Sequence, residues 1–398
     1  MDNILWCTGH QLKIADVAKA EGCYLHDQQG NKYIDLESGV WVVPLGHNHP
    51  GVNQAIQDQI GKVTHCGYYN SSSVVDEAAL AILGITGLKG GKCIFLCSGS
   101  EAVECGIQAL HKLSGRGKLL CLHDSFLGSY GSASKKQADE WHLFDWSECR
   151  ACPEVEDCNT DCSLFSSVPF DELGGFVFEP GSASGLVRFP PPALIGNLVR
   201  LTRNSGGLIL VNEITTGMGR TGKWFGYNHY PFQPDLIAMG KGLGNGYPVS
   251  VLAINKEAAE LLEEKSFYYQ QSHQNDALGC KAALAVVGEL SKGDYINRSK
   301  LLGGRLLGKL QDLSLKDDQV KEVRGKGLMM AIEFNGTGDQ PAAAIHDRLF
   351  DKGYIASLRR GHNTLRIDPP LIIDKAHLDN FVRELETSLK GISCNEGI

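Results

Sequence analysis

The residues best suited to covalent chemistry stand in Leu236–Ser250, LIAMGKGLGNGYPVS. An apolar run, Leu236-Ile237-Ala238-Met239, leads straight into Lys241, which is set among Gly240, Gly242, Gly244 and Gly246. Glycines allow a bulky group to approach the backbone closely. A lysine in a close-packed, desolvated pocket loses its proton, and the neutral amine then attacks carbonyl carbon. A solvated loop lysine is the commoner occupant of such a sequence. The rest of the chain, however, supplies the other parts that an aldehyde group on Lys241 would need.

The first of these parts is Ser98-Gly99-Ser100, which joins the apolar run KCIFLC at 92–97 to a helical stretch with Glu101 and Glu104 in its first turn. A strand, a Ser/Gly turn and a helix N-terminus make an anion site, because free N–H groups and the helix dipole point the same way. The serines also suit an ordinary N-cap, and the two readings are compatible. Phe126, just past the run KLLCLH at 118–123, can stack on a flat heteroaromatic ring or fill the core.

Cys149, Cys152, Cys158 and Cys162 are spaced C-x2-C-x5-C-x3-C within a polar, acidic stretch, residues 133–165. Packing does not explain four thiols there. A [4Fe–4S] cluster and a structural Zn²⁺ both use four thiolates, and a loop without metal is the third alternative. Gly217–Lys223 meets G-x-x-x-x-G-K, but Trp224 stands where a magnesium-binding Ser or Thr must be, which excludes a nucleotide triphosphatase. His47 and His49 lie in a Gly/Pro loop without acidic or cysteine neighbours in sequence, so a structural role is expected.

Positioning these groups requires a large α/β scaffold. The 398 residues suffice for a large domain and a smaller appendage. Strands and helices alternate through 92–254, which predicts a mostly parallel sheet covered on both faces. Its ligand belongs at the carboxyl ends of the strands, where Ser98, Phe126, Asn212 and Lys241 all fall. The predicted organisation is a large domain over 46–289, carrying the cysteine-rich insert at about 133–165, and a small α+β domain from 1–45 and 290–398. A net charge of −8 without a basic stripe argues against nucleic acid or a membrane surface. Thirteen cysteines behind a first decapeptide unlike a signal sequence predict reduced thiols and a cytoplasmic protein.

SGSEAVE at 98–104, EP at 179–180, NEITTGMGRTGKWFGYNHY at 212–230, PDLIAMGKGLGNGYPVS at 234–250 and LRIDPPLII at 365–373 resemble the class III, fold-type I pyridoxal-phosphate enzymes. Ornithine, acetylornithine and 4-aminobutyrate aminotransferases belong to that family. The resemblance implies a cofactor, pyridoxal 5′-phosphate, joined to Lys241, which also moves the substrate proton. It implies a phosphate turn at Ser98, Gly99 and Ser100, a stacking ring at Phe126, and cofactor contacts from Glu179, Asn212 and Thr215. Ser272 falls where a threonine of the neighbouring subunit reaches the phosphate, so a homodimer with shared sites is implied. Trp41 and Arg366 are the implied substrate contacts, Arg366 for an α-carboxylate.

Four departures bear on the reaction. Asn212, 29 residues before Lys241, replaces the aspartate that keeps the pyridine nitrogen protonated. Ser129 replaces the arginine that takes a distal carboxylate, Ser184 a glutamate that pairs with Arg366, and Thr215 a glutamine. The leading expectation is amino transfer between an amino acid or amine and an oxo acid other than the glutamate couple. Racemisation, epimerisation or decarboxylation on the same cofactor is the alternative. A non-catalytic cofactor- and metal-binding sensor is a third, against which the retained Lys241 argues.

Overall fold

The computed structural model describes residues 3–182 and 185–393. Strands β1 (Val17–Glu21), β2 (Tyr24–Asp27) and β3 (Lys32–Asp35) form an antiparallel meander. Its second turn closes on Asp27, whose Oδ1 accepts the N–H groups of Gln29 and Asn31 at 3.0 and 2.8 Å.

A seven-stranded sheet organises the middle of the chain. Its strands are β4 (Lys92–Leu96), β5 (Lys118–Leu122), β6 (Trp141–Phe144), β7 (Leu173–Phe178), β8 (Leu208–Asn212), β9 (Leu236–Met239) and β10 (Ser250–Ile254), in the order β4-β10-β9-β8-β7-β5-β6. Only β10 runs antiparallel to its neighbours. Strands β7, β9 and β10 are buried throughout, as runs covered on both faces must be. Alternation then sorts their side chains. Leu119, Cys121, Val177, Leu210, Ala238 and Leu252 pack beneath the helix Gly99–Ser114, while Leu120, Phe176, Val211, Met239 and Val251 join the core on the opposite face.

The stretch 133–165 is not wholly an insert. Trp141–Phe144 forms β6, the sheet's edge, parallel to β5. Trp141 and Phe144 are buried at its two ends, a short signal hidden between polar flanks.

The C-terminal part contains β11 (Val320–Lys326), β12 (Met329–Phe334), β13 (Tyr354–Ile355), β14 (Ser357–Arg359) and β15 (Thr364–Ile367). Four of them form the antiparallel sheet β11-β12-β15-β14, while β13 pairs in parallel with β3. The N-terminal meander is thus hydrogen-bonded to a segment more than three hundred residues away. Two long helices, Ala277–Lys292 and Tyr295–Ser314, lead from the large sheet to these strands.

Arg220, in the Gly217–Lys223 loop, ties these parts together. Its buried guanidinium donates to Leu328 O at 3.0 Å, to Pro369 O, and to Ser38 Oγ at 3.3 Å. The loop that imitates a phosphate cradle is therefore a structural clasp. Among the described residues, no helix is long and apolar enough to cross a membrane.

Candidate active site

The carboxyl ends of β4, β5, β7, β8 and β9 converge. Lys241 follows β9 directly, with φ 42°, in the left-handed region. Its Nζ lies 3.4 Å from Thr215 Oγ1 and 5.3 Å from the centre of the Trp41 ring. Burial brings the amine down to about 8 from its ordinary 10.5. The Arg366 charge adds to the shift, and Glu179 and Asp368 oppose it. A substantial neutral fraction near pH 8 is what a carbonyl-condensing lysine requires.

The turn after β4 has the geometry of an anion cup. Ser98 caps the helix Gly99–Ser114: its hydroxyl accepts from Glu101 N, and Glu101 Oε2 accepts from Ser98 N at 2.7 Å. The first-turn amides at Gly99 and Ser100 have no intrahelical acceptor. Ser100 Oγ accepts from Ser129 N at 3.0 Å, which sets the loop after β5 against this turn. A Cβ on Gly99 would come within 2.7 Å of Ile214 Cγ2, so only glycine lets the turn close on the segment after β8.

Three residues lock the floor. Glu179 Oε2 accepts from Phe126 N at 3.0 Å, and Asn212 Nδ2 donates to Phe126 O at 3.0 Å. Asn212 Oδ1 accepts from Ile214 N at 3.1 Å. A carbonyl on one side and an N–H on the other fix which way the Asn212 amide faces. Its acceptor is spent on the backbone, and the group it has left to offer is its second N–H. Beside it, buried Glu213 accepts from Thr216 Oγ1, Gly226 N and Tyr227 N, and burial pushes its carboxyl up to about 7 against those donors.

Arg366 and Trp41 close the site from the opposite side. The Arg366 guanidinium carbon sits 3.7 Å from the centre of the Trp41 ring, and the side chain is fully buried. Two of its nitrogens pair with the Asp368 carboxylate, Nε to Oδ2 at 2.6 Å and Nη2 to Oδ1 at 3.2 Å. Arg366 Nη1 and Trp41 Nε1 are both buried and have no hydrogen-bond partner among the described residues. The resemblance implies that Arg366 meets a substrate α-carboxylate; Asp368 takes two of its nitrogens and leaves Nη1.

Trp41 is presented by an unusual backbone. Ser38, Gly39, Val40 and Trp41 all have positive φ, at 53°, 58°, 63° and 69°, forming a left-handed turn. Each non-glycine residue in that conformation costs roughly 1–2 kcal/mol. Asp35 holds the turn by accepting from Glu37 N and Gly39 N at 2.8 Å each, and His47 Nε2 lies 2.8 Å from the same carboxylate. The Ser38 hydroxyl donates to Asp368 O.

Ser272 is exposed on this chain, in a segment docked to β4 by reciprocal Asn275–Phe95 hydrogen bonds of 2.9 Å. Phe126 is half-exposed at the site, and Ser184 lies outside the described residues. The four cysteines are remote from Lys241 in the fold: they border a separate cavity against the helix Pro192–Asn204. Sequence reasoning missed Asp368, Arg220 and Asp35. The signal for Asp368 was its place two residues after Arg366 on a strand, where side chains share a face.

Known proteins resemble this chain over nearly its whole length. The chain is 31% identical over 378 residues to an acetylornithine aminotransferase of Methanopyrus kandleri, covering 93% of each. It is 27% identical over 402 residues to a leucine/methionine racemase of Thermococcus litoralis, covering 94% of this chain and 90% of that one. The crystal structure of a Bacillus anthracis aminotransferase shares the fold, with a TM-score of 0.90 over 98% of this chain and 97% of that one, at 22% identity. The class-III aminotransferase profile matches residues 8–389, from ahead of the N-terminal meander into the last helix. The chain therefore belongs to the class-III aminotransferases, fold-type I enzymes that transfer amino groups with pyridoxal phosphate.

Proposed function

We propose that this enzyme takes the amino group from a neutral α-amino acid, with an oxo acid lacking a second carboxylate as acceptor. The observation that carries the reading is the pair of buried, unpartnered donors, Trp41 Nε1 and Arg366 Nη1, stacked together beside Lys241. A single carboxylate accepts from both. At Ser129, where the resemblance places the contact to a second acid, the backbone N–H is already spent on Ser100.

The residues present fit pyridoxal phosphate. Lys241 offers the desolvated amine for its carbonyl, and the unpaired amides of Gly99 and Ser100 suit its phosphate. Phe126 suits its ring face, and Thr215 and Glu179 border the same space. Asn212 offers an N–H, which pairs with an unprotonated pyridine nitrogen. Ser272, exposed here, would serve the phosphate of a second copy in a homodimer. When bound, the cofactor supplies a conjugated ring that delocalises the electron pair left as a proton leaves the substrate Cα.

Lys241 performs the proton work. Its neutral amine is placed to take the proton from the substrate Cα, hold it, and return it within the site. The carboxylate contact to Trp41 and Arg366 holds Cα still, so the proton faces the amine. Burial of these groups excludes water from the exchange.

A second reading keeps every contact and changes where the proton returns. Asn212 carries no charge to favour a protonated ring nitrogen, and a proton delivered to the opposite face of Cα would give racemisation. The likeness to a leucine/methionine racemase points the same way. One experiment separates the two. Holoenzyme is incubated with L-leucine or L-methionine in D₂O, with and without pyruvate, and followed by NMR and chiral chromatography. Amino transfer gives a new oxo acid in excess of enzyme only with pyruvate, whereas racemisation gives α-deuterated D-amino acid without it. Turnover of glutamate with 2-oxo acids above that of every neutral amino acid would overturn the substrate proposal.

A further inference from the structure

The cysteine-rich segment has a geometry of its own. Cys149, Cys152, Cys158 and Cys162 all border one cavity of about 270 Å³, whose apolar side includes Phe165 and Leu194. The segment is anchored from both ends. Trp146 Nε1 donates to Asp124 Oδ1 at 2.9 Å, and the Phe165 ring packs against Phe144 of β6 at 5.9 Å between centres. Between these anchors, Asn197 Nδ2 donates to Cys158 O at 2.7 Å from the helix Pro192–Asn204. Four cysteines thus border one space on a scaffold they do not themselves build.

The spacing discriminates between metals. Among the described residues, His65, His273 and Asp276 are the one set of three ligand-type side chains with donor atoms all within 4.8 Å of one another. The four sulfurs are therefore more widely spread. Tetrahedral zinc, with Zn–S near 2.3 Å, draws its sulfurs to about 3.8 Å of each other. A cubane of iron and sulfide sets its four thiolates farther apart and fills a cavity that a single ion would leave empty. We propose that Cys149, Cys152, Cys158 and Cys162 hold a [4Fe–4S] cluster that orders this segment, each thiol releasing its proton as its sulfur binds iron. The cluster has no part in the amino transfer. It fixes Arg150, which lies between the first two ligands and donates to Glu322 Oε2 on β11 at 3.1 Å.

The test is metal and sulfide analysis of holoenzyme purified without oxygen, with Mössbauer spectroscopy of ⁵⁷Fe-labelled protein, which pyridoxal phosphate does not obscure. The expected result is about four iron and four acid-labile sulfide per chain, with a [4Fe–4S] signature. Cys149→Ser/Cys152→Ser should lower iron more than fivefold with pyridoxal phosphate content unchanged, and Cys66→Ser should keep it. Should the double variant fail to fold, wild-type protein stripped of metal and reconstituted with iron and sulfide must regain the signature. One zinc per chain in place of iron overturns the proposal. So does less than one iron per chain after both anaerobic purification and reconstitution.

Discussion

Arg366 and Asp368 form a closed ion pair across a single intervening residue, with contacts of 2.6 and 3.2 Å and no solvent exposure on either side chain. Side chains two apart on a strand share a face. Arg366 ends β15's inward row and Asp368 continues it, while Ile367 packs into the core on the other side. The pair is neutral as a unit, and it leaves one guanidinium nitrogen to the site. Asp368→Ala strands a buried cation, so it should destabilise the holoenzyme by about 3–5 kcal/mol in urea unfolding. It should also open the fork, lowering KM for oxo acids severalfold. A loss under about 1 kcal/mol, the range of exposed pairs, would mean that the two charges are solvated.

Glutamate should be a poor donor. Its α-carboxylate fits Trp41 and Arg366, but its distal carboxylate finds only Ser129. Ranking kcat/KM across alanine, leucine, methionine and glutamate tests this directly. A lead for glutamate would hand the distal acid to Arg359, the cation whose own charge is disfavoured by burial and by Arg366 nearby.

The Lys241 amine makes stability depend on pH in the cofactor-free protein. The folded state releases its proton near pH 8 and the unfolded state near 10.5. Between these values the unfolded chain binds more protons, so stability rises with pH. Below pH 8 both states are protonated and the full penalty, on the order of 3 kcal/mol, is in force. Urea midpoints of cofactor-free protein from pH 7.5 to 10 should climb, and Lys241→Met should flatten the climb. Equal slopes in both proteins would place the amine in water. In holoenzyme, borohydride followed by peptide mapping should label Lys241.

Asn212→Asp sets a carboxylate oxygen against Phe126 O, where the amide now donates at 3.0 Å. Losing that bond should cost about 1–3 kcal/mol of stability. The added charge should nonetheless speed Cα deuterium exchange, because it favours a protonated ring. Exchange that stays level or slows would show a site tuned to a neutral ring and would favour racemisation.

Gly99→Ala should weaken cofactor binding by overpacking Ile214, at a cost of about 1–3 kcal/mol. Removing the obstruction in Gly99→Ala/Ile214→Ala should recover part of the affinity, read from the cofactor's absorbance on titration. No recovery would assign the loss to the turn's backbone rather than to Ile214.

Much of this site was legible in the chain because its parts are local. The run into Lys241, the strand–turn–helix through Ser98 and Gly99, and the clustering of strand ends all follow from short-range pattern. What stayed hidden depends on contacts distant in sequence or on direction. Arg220 looks like one residue of a phosphate loop until Ser38, Leu328 and Pro369 are seen around it. The facing of the Asn212 amide is set by Phe126, 86 residues away. Asp368 was readable by strand alternation, yet the arginine beside it drew the eye to substrate. Strand β6 was lost because four residues, of which only Trp141 and Phe144 are buried, carry little hydrophobic signal beside an acidic loop.

The left-handed turn Ser38–Trp41 gives the site a mechanical property. Its indole lies against two cations, Lys241 from the large sheet and Arg366 from the C-terminal sheet. The turn that carries it hangs on Asp35, at the end of the N-terminal meander. A backbone held in an unfavourable conformation by a few hydrogen bonds behaves as a cocked spring: it has one set position and one release. Because Asp35 ends the meander and holds the turn, the N-terminal strands help set where the indole stands against Lys241 and Arg366.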